Sequence, residues 1–272
     1  MTKLGAKIEG GVVSNYLKRI RLARSAVEDF NIYPFSLPLV RSLSTVEFDR
    51  QVTFFVGANG AGKSTLLEAI AVALGFNAEG GSRHFNFTTR ASHSNLHTYL
   101  DIARGTRKPR TGYFLRAESF FNVATEIDHL GSDIIAGAYG GRSLHEQSHG
   151  ESFLTLMVER FSNNGLYLLD EPESALSPTS QLAALARIHD LVRQGSQFLI
   201  ATHSPILMAY PGATIYVCTD SGLNRVAYQD TEHYRITRDF LDAPEKFLRE
   251  LLGVELPHSP TADIPTQGPG TE

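Results

Sequence analysis

The run Phe54-Phe55-Val56-Gly57-Ala58-Asn59-Gly60-Ala61-Gly62-Lys63-Ser64-Thr65 decides how this chain folds. Val52 to Val56 is apolar, β-branched and aromatic, which is the composition of a buried strand. A glycine-rich turn follows, and then an apolar-periodic helix from Ser64 to Leu74. Gly57 and Gly62 stand at the spacing of a P-loop, which Lys63-Ser64 complete. The glycines let backbone N–H groups turn inward as a nest for phosphate oxygens, and the helix N-terminus adds partial positive charge. Lys63 is placed to reach β- and γ-phosphates, and the Ser64 hydroxyl to ligate Mg²⁺. The stretch from Gly57 to Thr65 therefore predicts a bound nucleoside triphosphate.

Around this motif the chain alternates strands and helices. Leu39-Val40 and Val46-Glu47-Phe48 read as strands leading towards the loop strand, and Gly112 to Arg116 as a strand after it. Glu151 to Phe161 carries apolar residues at a helical period. Leu166-Tyr167-Leu168-Leu169 is a continuous apolar run, read as a buried strand. Pro178 to Gln194 is a helix, with Pro178 at its start and Gly195 just past its end. Gln197 to Thr202 and Thr214 to Cys218 are two more strands. This order predicts an α/β fold with a doubly wound, mostly parallel sheet. Glu79 to Ser82 and Arg104 to Arg110 read as loops, Asp133 to Gly141 as irregular, and residues 1–36 show no clear core period. From Glu255 the chain is polar with four prolines, which predicts a disordered tail over 255–272.

The composition is that of an ordinary globular chain, with 272 residues, 42% hydrophobic, 20% charged and a formal net charge of −4. That balance gives no global basic field for indiscriminate nucleic-acid binding. The single Cys218 rules out an internal disulfide framework, and its apolar neighbours predict a buried structural thiol. No segment approaches the roughly 20 apolar residues that span a bilayer, so the expectation is a cytoplasmic protein with no membrane anchor. Lys18, Arg19, Arg21 and Arg24 cluster at helical spacing; with Arg104, Arg107, Lys108 and Arg110 they could meet nucleic-acid phosphates, although such runs are more often solvated faces. His84, His93, His97, His145 and His149 show no metal-ligand spacing, so no zinc site is expected.

The strand Leu166 to Leu169 runs into Asp170-Glu171. Ligands of open α/β sheets bind at the carboxyl ends of the strands, where this acid pair falls. Asp170 is expected to hold Mg²⁺, directly or through water, and Glu171 to orient and deprotonate the attacking water. A third strand ends in Thr202-His203-Ser204-Pro205, and His203 could contact the γ-phosphate.

These motifs, in this order, resemble those of ABC-type ATPases, in the branch that includes the SMC, RecF and OLD-like proteins and small AAA-family ATPases. The resemblance covers residues 35–220. Gly57 to Thr65 match Walker A, Leu166 to Glu171 Walker B, Ser174-Ala175-Leu176-Ser177 the D-loop, and His203 the switch histidine. Gln147-Ser148-His149-Gly150-Glu151 stands in the place of the signature Leu-Ser-Gly-Gly-Gln, with His149 for a glycine and Gln147 for a leucine. Ser148 and Gly150 are then implied to bind the γ-phosphate held by a partner subunit. Glu118 takes the place of the Q-loop glutamine, where it can touch Mg²⁺ or water. Tyr33 and Phe35 are candidates for stacking on adenine.

The resemblance implies a P-loop NTPase of the ABC-ATPase type, with a small antiparallel β region and a helical subdomain. Residues 1–254 form one such domain, with the helical and signature insertion at about 75–160. It implies ATP and Mg²⁺ as ligands and hydrolysis to ADP and phosphate between two copies of the chain. The output acts on a nucleic-acid or protein partner in trans, with soluble DNA maintenance or defence as the first reading. The alternatives are the ATPase subunit of a membrane transporter, or a nucleotide-gated binding module with little turnover.

Overall fold

The structure, a computed structural model, describes residues 15–82, 94–118 and 149–253. In chain order its elements are β1 (Leu17–Leu22), α1 (Pro38–Ser42), β2 (Thr45–Glu47), β3 (Val52–Gly57), α2 (Lys63–Ala73), β4 (Gly81–Ser82), β5 (Leu100–Arg104), β6 (Thr111–Arg116) and α3 (His149–Arg160). There follow β7 (Gly165–Asp170), α4 (Pro178–Arg193), β8 (Gln197–Ala201), α5 (Pro205–Met208), β9 (Thr214–Thr219), β10 (Gly222–Val226), α6 (Glu232–Asp242) and α7 (Pro244–Leu252).

Seven strands form the main sheet in the order β10-β9-β3-β8-β7-β6-β4. The five inner strands are parallel, and β10 and β4 close the edges antiparallel. Every residue of β3, β7 and β8 is buried, because helices cover both faces of the sheet. Alternate side chains feed two cores. Phe54, Tyr167, Leu169 and Phe198 pack with Phe153 and Met157 of α3 and Ile188 and Leu191 of α4. Phe55, Leu168 and Leu199 pack with Leu66, Leu67 and Ile70 of α2 and with Leu17 and Ile20 of β1. The predicted doubly wound sheet is therefore the observed one. The small antiparallel region is the three-stranded sheet β2-β1-β5.

Helix boundaries follow local chemistry. Ser177 caps α4, its hydroxyl accepting from the Ser180 N–H, and Gly195, at φ +84°, ends the turn after Gln194. The structure corrects the sequence reading in three places. Leu39-Val40 is not a strand but lies in α1, where Pro38 follows the extended Leu37 at the first helical position. Lys18, Arg19 and Arg21 are not helical but sit on β1, where a register shift between Leu17 and Arg19 leaves Lys18 and Arg19 both exposed and breaks the alternation expected of a strand, while Arg24 opens a short 3-10 turn beyond it. They are also partly engaged: Arg21 pairs with Asp101 at 2.7 Å, and Arg24 donates to the Arg41 and Leu43 carbonyls. The third is the stretches read as loops, where Gly81 and Ser82 form β4 beside β6 and Arg104 ends β5, which pairs with β1. Asp133 to Gly141, His84, His93, His145 and the tail from Glu255 lie outside the described residues. Among the described residues, no helix is long and apolar enough to cross a membrane.

Candidate active site

The phosphate loop leaves β3 through Gly57 (φ +142°) and enters α2 through Gly62 (φ +101°), with Gly60 also left-handed (φ +77°). Within the loop the Ala61 N–H donates to the Ala58 carbonyl, and the Ala61 carbonyl accepts from Leu39 of α1. Lys63 is buried, and its ammonium donates to the Gly57 and Ala58 carbonyls at 3.0 Å each. Burial lowers its pKa, opposed by the carboxylates of Glu171, Asp170 and Glu173. Cys218 faces the loop from β9 as a buried thiol whose pKa burial pushes up to about 12.

A hollow of about 300 Å³ opens over the loop, lined by Leu37, Asn59, Gly60, Gly62, Lys63, Ser64, Thr65 and Glu171. Beside it lies a second of about 290 Å³, lined by Ser64, Ala117, Glu118, Asp170, Glu171 and Ser174. Ser64 and Glu171 line both, so the loop and the acid pair form one continuous site. A wider hollow of about 560 Å³ between α6 and α7 shares no residue with either.

Asp170 ends β7 in parallel register with Arg116 of β6 and Ala201 of β8. Its carboxyl is almost wholly buried, and burial raises its pKa from 3.8 to about 6 against the opposing pull of Arg116 and of a hydrogen bond with Ser64. The Oδ1 atom has no hydrogen-bond partner. A buried carboxylate oxygen without a donor, bonded through its carboxyl to the Ser64 hydroxyl, fits a Mg²⁺ site that takes one or two protein oxygens together with phosphate and water. Below about pH 6 the carboxyl holds a proton that a bound metal would have to displace, whereas above it the oxygen is free. The Mg²⁺ concentration for half-maximal turnover is expected to rise about fourfold from about pH 7.5 to about pH 5.5. Mg²⁺ titrations of the rate at saturating ATP check this.

Glu171 sits in the left-handed region (φ 49°, ψ 50°), uncommon for a residue with a side chain and typical of strained positions at functional sites. Its N–H donates to the Ala201 carbonyl, and its own carbonyl accepts from the Ser174 N–H and hydroxyl. The half-exposed carboxylate stands 3.7 Å from His203 Nε2.

Two residues that the sequence reading passed over organise this site. Glu173, the second glutamate of Asp170-Glu171-Pro172-Glu173, accepts from the Thr202 hydroxyl at 2.7 Å and from the His203 N–H, pinning the end of β8 to the turn after β7. Glu173→Gln keeps the shape but loses the charge, and is expected to lower stability by about 1.5–3 kcal/mol, read by denaturant unfolding. Arg116 lies between carboxylates, 2.8 Å from Glu68, 3.5 Å from Asp170 and 3.6 Å from Glu118. The doubled glutamate and the arginine at the end of β6 were the signals in the sequence.

The remaining candidates separate. Glu118 shares the second hollow and leans towards Arg116. Phe35 is a core residue, edge-on to Tyr99 at 4.8 Å, whereas Tyr33 is 62% exposed. Gly150, at the start of α3, packs on the Ala175 carbonyl: a Cβ there would lie 3.0 Å from that oxygen. Gly150 lines neither hollow. Ser148 lies outside the described residues.

Two family models match adjoining stretches of the chain. One, described as "AAA domain", covers residues 27–122; the other, "AAA domain, putative AbiEii toxin, Type IV TA system", covers 116–209. An "Uncharacterized ABC transporter ATP-binding protein" of Haemophilus influenzae is 27% identical, over 65% of this chain and 73% of its own length. The "ABC transporter G family member STR2" of Medicago truncatula is 28% identical over 57% of this chain, which spans only 24% of that protein. The SMC head domain from Thermotoga maritima superposes with a TM-score of 0.41 at 16% identity, covering 78% of this chain and 98% of that one. Motifs, fold and family matches together define a P-loop ATPase of the ABC type. The chain binds ATP and hydrolyses it.

Proposed function

We propose that two copies of the chain close head to tail on two ATP molecules, hydrolyse them, and use the closing and opening to drive a membrane-embedded partner. The observation that carries the dimer is the position of Gly150, outside both hollows of its own copy; in this reading Gly150 and Ser148 serve the γ-phosphate bound by the other copy. Backbone N–H groups from Ala58 to Thr65 hold the phosphates, and Lys63 turns from the Gly57 and Ala58 carbonyls to the β- and γ-oxygens. Ser64 and Asp170 would hold Mg²⁺, which neutralises phosphate charge when bound, with Glu118 at the edge of its shell. Glu171 takes the proton of the attacking water, and His203 contacts the γ-phosphate.

The sequence reading put a soluble DNA process first. The named relatives support the transporter reading instead, since both are described as ABC transporter proteins. That reading sets the work at the cytoplasmic face of a membrane. Defence keeps one specific support, the AbiEii description of the model over residues 116–209. Fractionation of the native cells, with ATPase assays on each fraction, separates them. The transporter reading expects the chain to sediment with membranes and to be released by alkaline carbonate. Recovery in the supernatant with turnover stimulated by duplex DNA would overturn it in favour of the nucleic-acid reading.

A further inference from the structure

His203 has a neighbour that none of the motifs includes. Its Nδ1 lies 3.2 Å from Nε2 of His233, the second residue of α6, with ring centroids 5.3 Å apart. This contact is built into the fold. Thr231, buried at the cap of α6, donates to the Tyr228 carbonyl at 2.7 Å and accepts from the Tyr234 N–H. The Tyr228 hydroxyl in turn donates to the Pro205 carbonyl at 2.8 Å, tying the start of α6 to the segment that follows His203. On the other side, the His203 N–H is held by Glu173.

Burial lowers the pKa of both rings, with Lys63 lowering that of His203 further, so both are neutral at neutral pH. Two neutral imidazoles at this distance share one proton, and the choice fixes the tautomer of His203. If His203 Nδ1–H were the donor, its Nε2 would present a bare lone pair. That Nε2 is buried, has no hydrogen-bond partner, and faces the Glu171 carboxylate at 3.7 Å. A lone pair there would meet an anion; an N–H there is attracted to it. The opposite sharing is therefore favoured.

We propose that His233 is a positioning residue for hydrolysis: its Nε2–H donates to His203 Nδ1 and holds the proton of His203 on Nε2, facing Glu171. This rests on the reading of His203 as the γ-phosphate contact, which needs a donor at Nε2 because phosphate oxygens only accept. It also joins α6 to the chemistry, since displacing its start releases the His203 tautomer.

The test is ¹⁵N NMR of the full chain labelled at histidine, which distinguishes the ring nitrogen that carries the proton. The wild-type chain is expected to show His203 protonated on Nε2. In His233→Ala the Nδ1–H form should appear, with kcat down about tenfold and KM for ATP unchanged. His233→Gln, whose amide restores an N–H at a similar reach, should recover most of both. A proton on Nδ1 of His203 in the wild-type chain overturns the proposal without any variant. So does a folded His233→Ala that keeps the Nε2–H form. His203→Ala tests the underlying reading separately: if its turnover matches wild type, the γ-phosphate role of His203 fails, whatever the tautomer.

Discussion

Glu171→Gln is expected to lower ATP turnover by about 10²–10⁴-fold while leaving ATP binding intact. The change keeps the volume of the side chain and the left-handed turn that presents it, but replaces the proposed base with a group that cannot accept a proton. The groups proposed to hold the phosphates, Lys63, Ser64 and the loop N–H donors, are untouched. Asp170 also stays in place, held by Arg116 and Ser64 rather than by Glu171. Binding without turnover should trap the closed pair, so the variant with ATP and Mg²⁺ should elute from size exclusion at the mass of two chains. Turnover within about threefold of wild type would mean that another group takes the proton, and would remove Glu171 from the chemistry.

Gly57→Ala is expected to be the most damaging single methyl in the loop. At φ +142° a side chain is strained, at a cost of about 1–3 kcal/mol. The new Cβ would lie 2.6 Å from the Cys218 carbonyl and 3.1 Å from its Cβ. Gly57 pairs with Cys218 across the parallel β3–β9 ladder, so the obstacle is sheet backbone and cannot swing aside. Overpacking adds about 1–3 kcal/mol. The sum should lower the thermal midpoint by about 10 °C and shift the loop enough to weaken ATP binding. Gly60→Ala is the control: its φ is +77°, but a Cβ there meets nothing within 4 Å, so only the backbone cost applies. Equal melting temperatures for the two variants would contradict the role given to the Cys218 carbonyl.

What could be read in the sequence was what is buried on both sides or fixed by local chemistry. β3, β7 and β8 are continuous apolar runs because helices cover both faces of the sheet, and α4 announces itself by Pro178 and Gly195. The same three strand ends carry Gly57, Asp170 and His203, so the order of the site was legible too. β1 was not, because a register shift puts Lys18 and Arg19 on the solvent side together. β5 was not, because Leu100–Arg104 is half-buried and shows no clean alternation. Glu173, Arg116 and His233 gain their meaning from contacts between distant segments: His233 meets a ring 30 residues earlier, and Arg116 meets Glu68 on a different element. No local period encodes such pairs.

In the proposed composite site the rate depends on meeting a second copy. Specific ATPase activity as a function of protein concentration, with the mass in solution measured alongside, tests that most directly. The account predicts specific activity that rises with concentration and levels off as the ATP-bound mass reaches that of two chains. Constant specific activity from a chain that keeps the mass of one copy with ATP bound would contradict it.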